Sequence, residues 1–265
     1  MVALAATSRA EVTLRATATA TVTDQAAVRL EVANAGDVSA TAVTPEVVYQ
    51  GRQVHGETVA ELPPGDRHAW TFDLPLPAEP GTVPALIQVR YTDSTGHHTS
   101  VPAVATVTTP GLLPVLGASA TLTTTPVTRF GRATVSVENP TPVPIHGRLI
   151  TVLPGGLTTE PESQPVEVPA RGSREVPIVV QNDGAVRGST APMFALFEYN
   201  LDGRWHLIVA PASVTIGTER ATESPLLVGA IALGLALALL AVAWYRAARR
   251  VAAARNGPPG RTREN

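Results

Sequence analysis

Apolar and polar residues alternate strictly over Glu11–Val22, so Val12, Leu14, Ala16, Ala18, Ala20 and Val22 share one face. The same period of two recurs in Val28–Val32, Trp70–Leu74 and Ile87–Tyr91. That spacing, in segments rich in β-branched and aromatic residues, predicts half-buried strands. Turn chemistry separates them at Asn34-Ala35-Gly36-Asp37, Pro63-Pro64-Gly65-Asp66 and Asp93-Ser94-Thr95-Gly96. Strands at intervals of this length point to an all-β sandwich, and no amphipathic helical pattern precedes residue 225.

The alternation then gives way to an unbroken apolar run. Leu226–Tyr245 holds 20 residues without a charge. At about 1.5 Å per residue a helix of that length spans roughly 30 Å, the hydrocarbon thickness of a bilayer. Pro225 suits its first turn, and Trp244 and Tyr245 close it as interfacial aromatics do. Ala230, Gly234 and Ala238 recur every four residues, a spacing that lets another helix approach closely. Arg246, Arg249, Arg250 and Arg255 follow the run, and the excess of arginine is expected to hold the tail in the cytoplasm. Everything before the span is then expected outside.

Export of the N-terminal part calls for a signal. The opening MVALAATSRAEVTL lacks a basic region and is short of apolar residues, although Ala3-Leu4-Ala5 fits the small-x-small pattern before a cleavage site. Two expectations stay open. Residues 1–8 are the end of a signal peptide whose start lies upstream, or the single helix serves as both signal and anchor.

One order of features occurs twice. Val28–Gly36 matches Ala133–Thr141, pairing Asn34 with Asn139. Glu61–Leu74 matches Glu167–Val180, pairing Gly65 with Gly172, and Pro84–Gly96 matches Pro192–Gly203, pairing Tyr91 with Tyr199. The three offsets are 105, 107 and 108 residues, nearly one period. The expected fold is therefore all-β, two tandem immunoglobulin-like β-sandwiches followed by one C-terminal transmembrane α-helix. In chain order these are a signal-peptide remnant or disordered start (1–8), the first sandwich (9–108) and a proline-containing linker (109–117). The second sandwich (118–217), a juxtamembrane linker (218–224), the helix (225–245) and an arginine-rich cytoplasmic tail (246–265) follow. Trp70, Phe72 and Tyr91 are expected to anchor the first core, and Val135, Ile178, Phe197 and Tyr199 the second.

A strand ending V-x-N-x-G (Val32–Gly36), then L-P-P-G before an aromatic strand, then a late V-R-Y-T-D-S-T-G hairpin, resembles bacterial immunoglobulin-like modules. The nearest types are the cell-adhesion-related domain of bacteria and the domain associated with bacterial α-galactosidases. The resemblance covers most of residues 10–216. The second copy departs from it with Pro140 and Arg171-Gly172 at the corresponding turns. It implies surface-located, non-catalytic modules that join, space or bind, and fold alone does not carry function.

Composition narrows the picture. Of 265 residues 44% are hydrophobic and 16% charged, too apolar for a disordered chain. A net charge of −2 gives no field that would attract nucleic acid. All 20 basic residues are arginine. Cysteine is absent, which removes disulfides, thiolate metal sites and cysteine nucleophiles together.

Few side chains offer chemistry. No G-x-S-x-G, P-loop, H-E-x-x-H or EF-hand pattern occurs. His97 and His98 are adjacent, and neighbours on a strand point to opposite faces, so they are not expected to share a metal. His206 is expected on the solvent side of a hairpin strand. Asp93 and Asp202 are expected to bond their own turns rather than calcium. Glu160 and Glu162 border a loop. Tyr49, Phe194 and Trp205 are the aromatics that would offer a carbohydrate platform if they faced outward. No catalytic, cofactor-binding or metal-binding residue is expected, and no cofactor. The functional expectation is a single-pass envelope protein whose outer domains act as an interaction or spacer module beside another envelope or membrane protein. The alternative is an accessory subunit of a membrane complex that docks through its helix.

Overall fold

The computed structural model describes residues 12–111 and 117–217. They form sixteen strands, and no helix occurs among the described residues. In chain order the first eight are β1 (Leu14–Val22), β2 (Ala26–Asn34), β3 (Ala40–Tyr49), β4 (Arg52–His55), β5 (Val59–Leu62), β6 (Arg67–Leu74), β7 (Thr82–Thr92) and β8 (His98–Thr108). One antiparallel sheet runs β1-β2-β6, and the facing one runs β4-β3-β7-β8 with β5 also on β3. The remaining strands are β9 (Ser119–Thr124), β10 (Phe130–Asn139), β11 (Ile145–Val152), β12 (Leu157–Thr158), β13 (Ser163–Val168), β14 (Gly172–Asn182), β15 (Thr190–Leu201) and β16 (Arg204–Thr215). They form the sheets β12-β14-β10-β9 and β13-β11-β15-β16.

Each pair of sheets closes on its own core. Val28, Leu30, Val32, Trp70 and Phe72 face Val47, Tyr49, Ile87 and Val89 in the first. Val135, Val137, Val176 and Ile178 face Leu149, Met193, Phe197 and Tyr199 in the second. The period-two pattern is the cause, because β2, β6 and β10 bury alternate residues and leave the others more exposed. Burying each large side chain contributes about 1.5–3 kcal/mol. The expected anchors Trp70, Phe72, Val135, Ile178, Phe197 and Tyr199 are all buried, while Tyr91 is half-buried against the first core.

The repeated asparagines build the same corner twice. Asn34 is fully buried, and its Nδ2 donates to the carbonyls of Val38 (2.8 Å) and Leu62 (2.9 Å) while its Oδ1 accepts from Gly36 N (3.0 Å). Asn139 Nδ2 donates to Val143 O (2.8 Å) and Pro169 O (3.0 Å), and its Oδ1 accepts from Thr141 N (3.0 Å). One side chain thus satisfies three backbone groups from two segments at the place where the chain leaves one sheet for the other.

The structure corrects one pairing of the repeat. Asn34 N donates to Asp66 O, and Asn139 stands opposite Gly172, so Gly172 matches Asp66. The residue at the left-handed position is Gly65 in the first copy (φ 81°) and Arg171 in the second (φ 51°). Matching glycine to glycine misplaced the register by one residue.

The chain divides by contacts only after residue 218, so both sandwiches belong to one compact unit. Among the described residues there is no helix long and apolar enough to cross a membrane, and the predicted span 225–245 lies outside them. So do Ala230, Gly234, Ala238, Trp244, Tyr245, Arg246, Arg249, Arg250 and Arg255, as do residues 1–8.

Candidate functional site

The two sandwiches meet backbone to backbone at two places. At the first, the loop before β7 lies beside the start of β16. Trp205 N donates to Pro80 O (3.0 Å), and Gly81 and Trp205 form a parallel bridge. Gly81 is buried at φ 152°, and a Cβ there would lie 2.3 Å from Trp205 O. Only glycine tolerates that approach. Thr109, at the start of the linker, closes the same point by donating from N to Gly81 O (2.9 Å). At the second place Gly155 N donates to Ser100 O (2.9 Å), and a Cβ on Gly155 would lie 2.5 Å from Ser100 N. Gln88 Nε2 reaches across to Leu153 O (3.1 Å).

Beside the first contact opens a cleft of about 770 Å³. Its second-sandwich wall follows from the pleat. Register places Arg148 opposite Glu198 and Asn200 opposite Trp205, and the period of two sets His146, Arg148, Glu198, Asn200 and Trp205 on one outer face. Gly147 lies between His146 and Arg148, where a Cβ would strike Glu198 O at 2.5 Å. The first sandwich contributes Gln50, from the turn joining β3 and β4, with Ala78, Glu79, Thr82 and Val83. The turn Asp202-Gly203, both at positive φ (52° and 73°), joins β15 to β16 and so fixes where Trp205 stands near the start of the last strand.

The charges of this cleft have local partners. Arg148 Nη2 lies 2.7 Å from Glu198 Oε2. Glu79 Oε2 accepts the indole N–H of Trp205. His146 Nδ1 is 3.9 Å from Glu167 Oε2. Trp205 is 38% exposed. With its one polar atom held by Glu79, what it offers the cleft is ring surface. Tyr199 forms part of the lining, and burial raises its phenol above the ordinary value, opposed by the hydrogen bond donated by Ala118 N (3.2 Å).

A second cleft, of about 450 Å³, lies beside the Gly155 contact and is lined by Tyr91, Asp93, Ser100, Pro154 and Arg187 among others. Asp93 serves its own turn there, accepting from Thr95 N (2.8 Å), Thr95 Oγ1 (2.7 Å) and His97 N (2.9 Å). Partial burial pushes its carboxyl up. The hydrogen bonds from the Thr95 hydroxyl and the His97 and Thr95 amides outweigh that, with the His97 ring, and hold it below the ordinary range.

Of the residues singled out as chemistry, the structure gathers few. His97 and His98 are exposed, and His98 Nδ1 pairs with Thr92 Oγ1 (2.9 Å). Glu160 and Glu162 are exposed in their loop. Among the described residues no group of three His, Asp or Glu side chains is placed to hold a metal. His206 is not on the solvent side. It stands opposite Tyr199, half-buried, with the rings stacked at 4.9 Å, because the strand register turns it inward at the end of the sandwich. Tyr49 is no outward platform either, since it is 1% exposed and belongs to the first core. Phe194 is half-buried. Trp205 alone of the three suggested aromatics is exposed and lines a cleft. Glu79, Gln50 and Arg148 carried no sequence signal, because a turn and a loop of the first sandwich meet a strand of the second only in the folded chain.

No protein-family model matches the chain, and no curated protein matches it. Among solved structures it is similar to red sea bream transglutaminase, at 16% identity and a TM-score of 0.29, covering 78% of this chain and 31% of that one. It is similar to a protein of unknown function from Porphyromonas gingivalis W83, at 15% identity and a TM-score of 0.28, covering 75% and 99%. It is also similar to Escherichia coli alpha-2-macroglobulin activated by porcine elastase, at 12% identity and a TM-score of 0.30, covering 79% and 22%. The chain thus spans less than a third of the first and third of these. Likeness at this level assigns no activity.

Proposed function

We propose that this protein is a single-pass bacterial envelope protein, with two immunoglobulin-like sandwiches held outside the membrane as one interaction or spacer module. The observation that supports a presenting module is the double backbone seam at Gly81–Trp205 and Gly155–Ser100. A pair of domains joined only by a linker swivels by default, whereas main-chain contacts at two separate points restrain rotation about either one. The membrane part of the reading is supported by the charge-free run 226–245 and the arginines that follow it. The same modules resemble the cell-adhesion-related and α-galactosidase-associated types at their turn motifs.

Protease added to intact cells or spheroplasts tests the topology. A tag placed after Asn265 is expected to survive, and epitopes in the sandwiches are expected to become accessible. Removal of the C-terminal tag from unbroken cells inverts the topology and ends the reading. Purification in mild detergent then separates the module from the accessory-subunit alternative. A stoichiometric membrane partner lost in Gly234→Leu favours the alternative, and a lone monomer favours the module.

A further inference from the structure

We propose that the cleft between the sandwiches binds a short uncharged saccharide, with Trp205 as the stacking platform. Binding here goes beyond the anchored-module reading, and the two fail separately, since one is read by topology and the other by ligand titration.

Three observations carry the proposal. First, the chain is poor in aromatics and most of those among the described residues lie in the cores; of the two that are exposed, Phe130 and Trp205, Trp205 lines the concave surface. The ring is held in place from two sides, its backbone by Pro80 and Gly81 and its indole N–H by Glu79. A fixed aromatic face binds apolar sugar faces at little entropic cost. Second, the surrounding groups are planar and bear several donors or acceptors: Gln50, Asn200, Arg148 and Glu198. Such groups can engage neighbouring hydroxyls in pairs. Third, the arginine and glutamates of the cleft are partnered with each other or with the indole. Arg148 and Glu198 neutralise each other, and Glu79, whose partner is a neutral N–H, leaves a negative charge that disfavours a phosphate or a peptide carboxylate, so a neutral polyhydroxylated ligand fits better. The volume of about 770 Å³ lies within the roughly 300–1,000 Å³ of small-molecule sites, which favour domain interfaces.

The test uses the full chain in detergent, titrated with maltotriose, chitotriose, cellotriose and mannotriose, with triglycine as the peptide control. Ligand-observed NMR gives the saturation transfer and the Kd. At least one trisaccharide is expected to bind with a Kd below about 10 mM. Trp205→Ala is expected to weaken it by about tenfold or more. Because the seam at Trp205 is made by backbone atoms, that variant keeps the sandwiches joined. Asn200→Ala, on the exposed rim, is expected to weaken binding several-fold with unchanged unfolding, which separates a lost contact from a lost fold. No binding by any of the four sugars overturns the proposal. So does binding that both variants leave intact, or triglycine binding equally well through Trp205.

Discussion

The two sandwiches share a frame and fill it differently. At matching positions on the strand beside the asparagine corner, the first carries Trp70 and Phe72 and the second Val176 and Ile178. On the long hairpin strand of the opposite sheet the balance reverses, with Val89 and Tyr91 in the first and Phe197 and Tyr199 in the second. Bulk has moved across the core while the interior stays filled. What a sandwich of this kind demands is total volume at close packing, and which sheet supplies it is free. Asn34 and Asn139 have not moved, because their partners are backbone carbonyls fixed by the fold.

That contrast sets the largest expected effects. Trp70→Ala and Phe197→Ala are each expected to cost about 3–5 kcal/mol, read as a lower urea midpoint. Exchanging bulk within one core, with Trp70→Val alongside Val89→Phe, is expected to recover part of the loss of Trp70→Val alone. Recovery would show that volume is shared between the sheets. A full, unrecovered loss would show that the hydrogen bond from Trp70 Nε1 to Glu57 O (2.8 Å) ties the indole to its position.

The asparagine corners come next. Asn34→Ala and Asn139→Ala each leave buried backbone groups unpaired, at an expected cost of about 2–3 kcal/mol. The two costs should agree within about 0.5 kcal/mol if the corners are equivalent. A large cost in one alone would mean that the matching geometry hides different energetics.

These corners were legible in advance, and the reasons are local. V-x-N-x-G and its counterpart at Asn139 are short, and the neighbouring Pro and Gly name their turns. Strand periodicity was equally open to reading, since alternation is a property of ten consecutive residues. The match of Gly65 to Gly172 failed because a left-handed residue is a backbone conformation, and Arg171 adopts it without being glycine. His206 failed for a related reason, since a one-residue choice of register decides which face a strand residue takes. The seam and its cleft were beyond reach. Trp205 stood out only as a candidate outward-facing aromatic, and Gly81, Gly155 and Ser100 read as ordinary loop and strand residues until distant segments are brought together.

The left-handed turn yields a smaller effect. A side chain at positive φ costs about 1–2 kcal/mol, and glycine's extra freedom in the unfolded chain costs roughly 0.5–1 kcal/mol. Arg171→Gly is therefore expected to stabilise by up to about 1 kcal/mol, and Gly65→Ala to destabilise by a similar amount, both measured by urea unfolding. Destabilisation by Arg171→Gly would show that the arginine makes a compensating contact.

The smallest effect separates the two long hairpins. Asp93 accepts three hydrogen bonds in its five-residue turn, and its carboxyl lies below the ordinary range. A carboxyl lowered on folding adds stability above its unfolded value, about pH 4, and loses it as pH falls through the lower folded value. The amides of Thr95 and His97, which donate to that carboxylate, are expected to lose exchange protection over this acidic window. Asp93→Asn keeps an acceptor oxygen in the turn and removes the titration, so its protection should be lower at neutral pH and flat on acidification. In the other hairpin, Asp202 and Gly203 make a two-residue turn at positive φ, a geometry asparagine also adopts. Asp202→Asn is therefore expected to change stability by less than about 0.5 kcal/mol. An acid-dependent loss that survives Asp93→Asn would place the titrating group elsewhere.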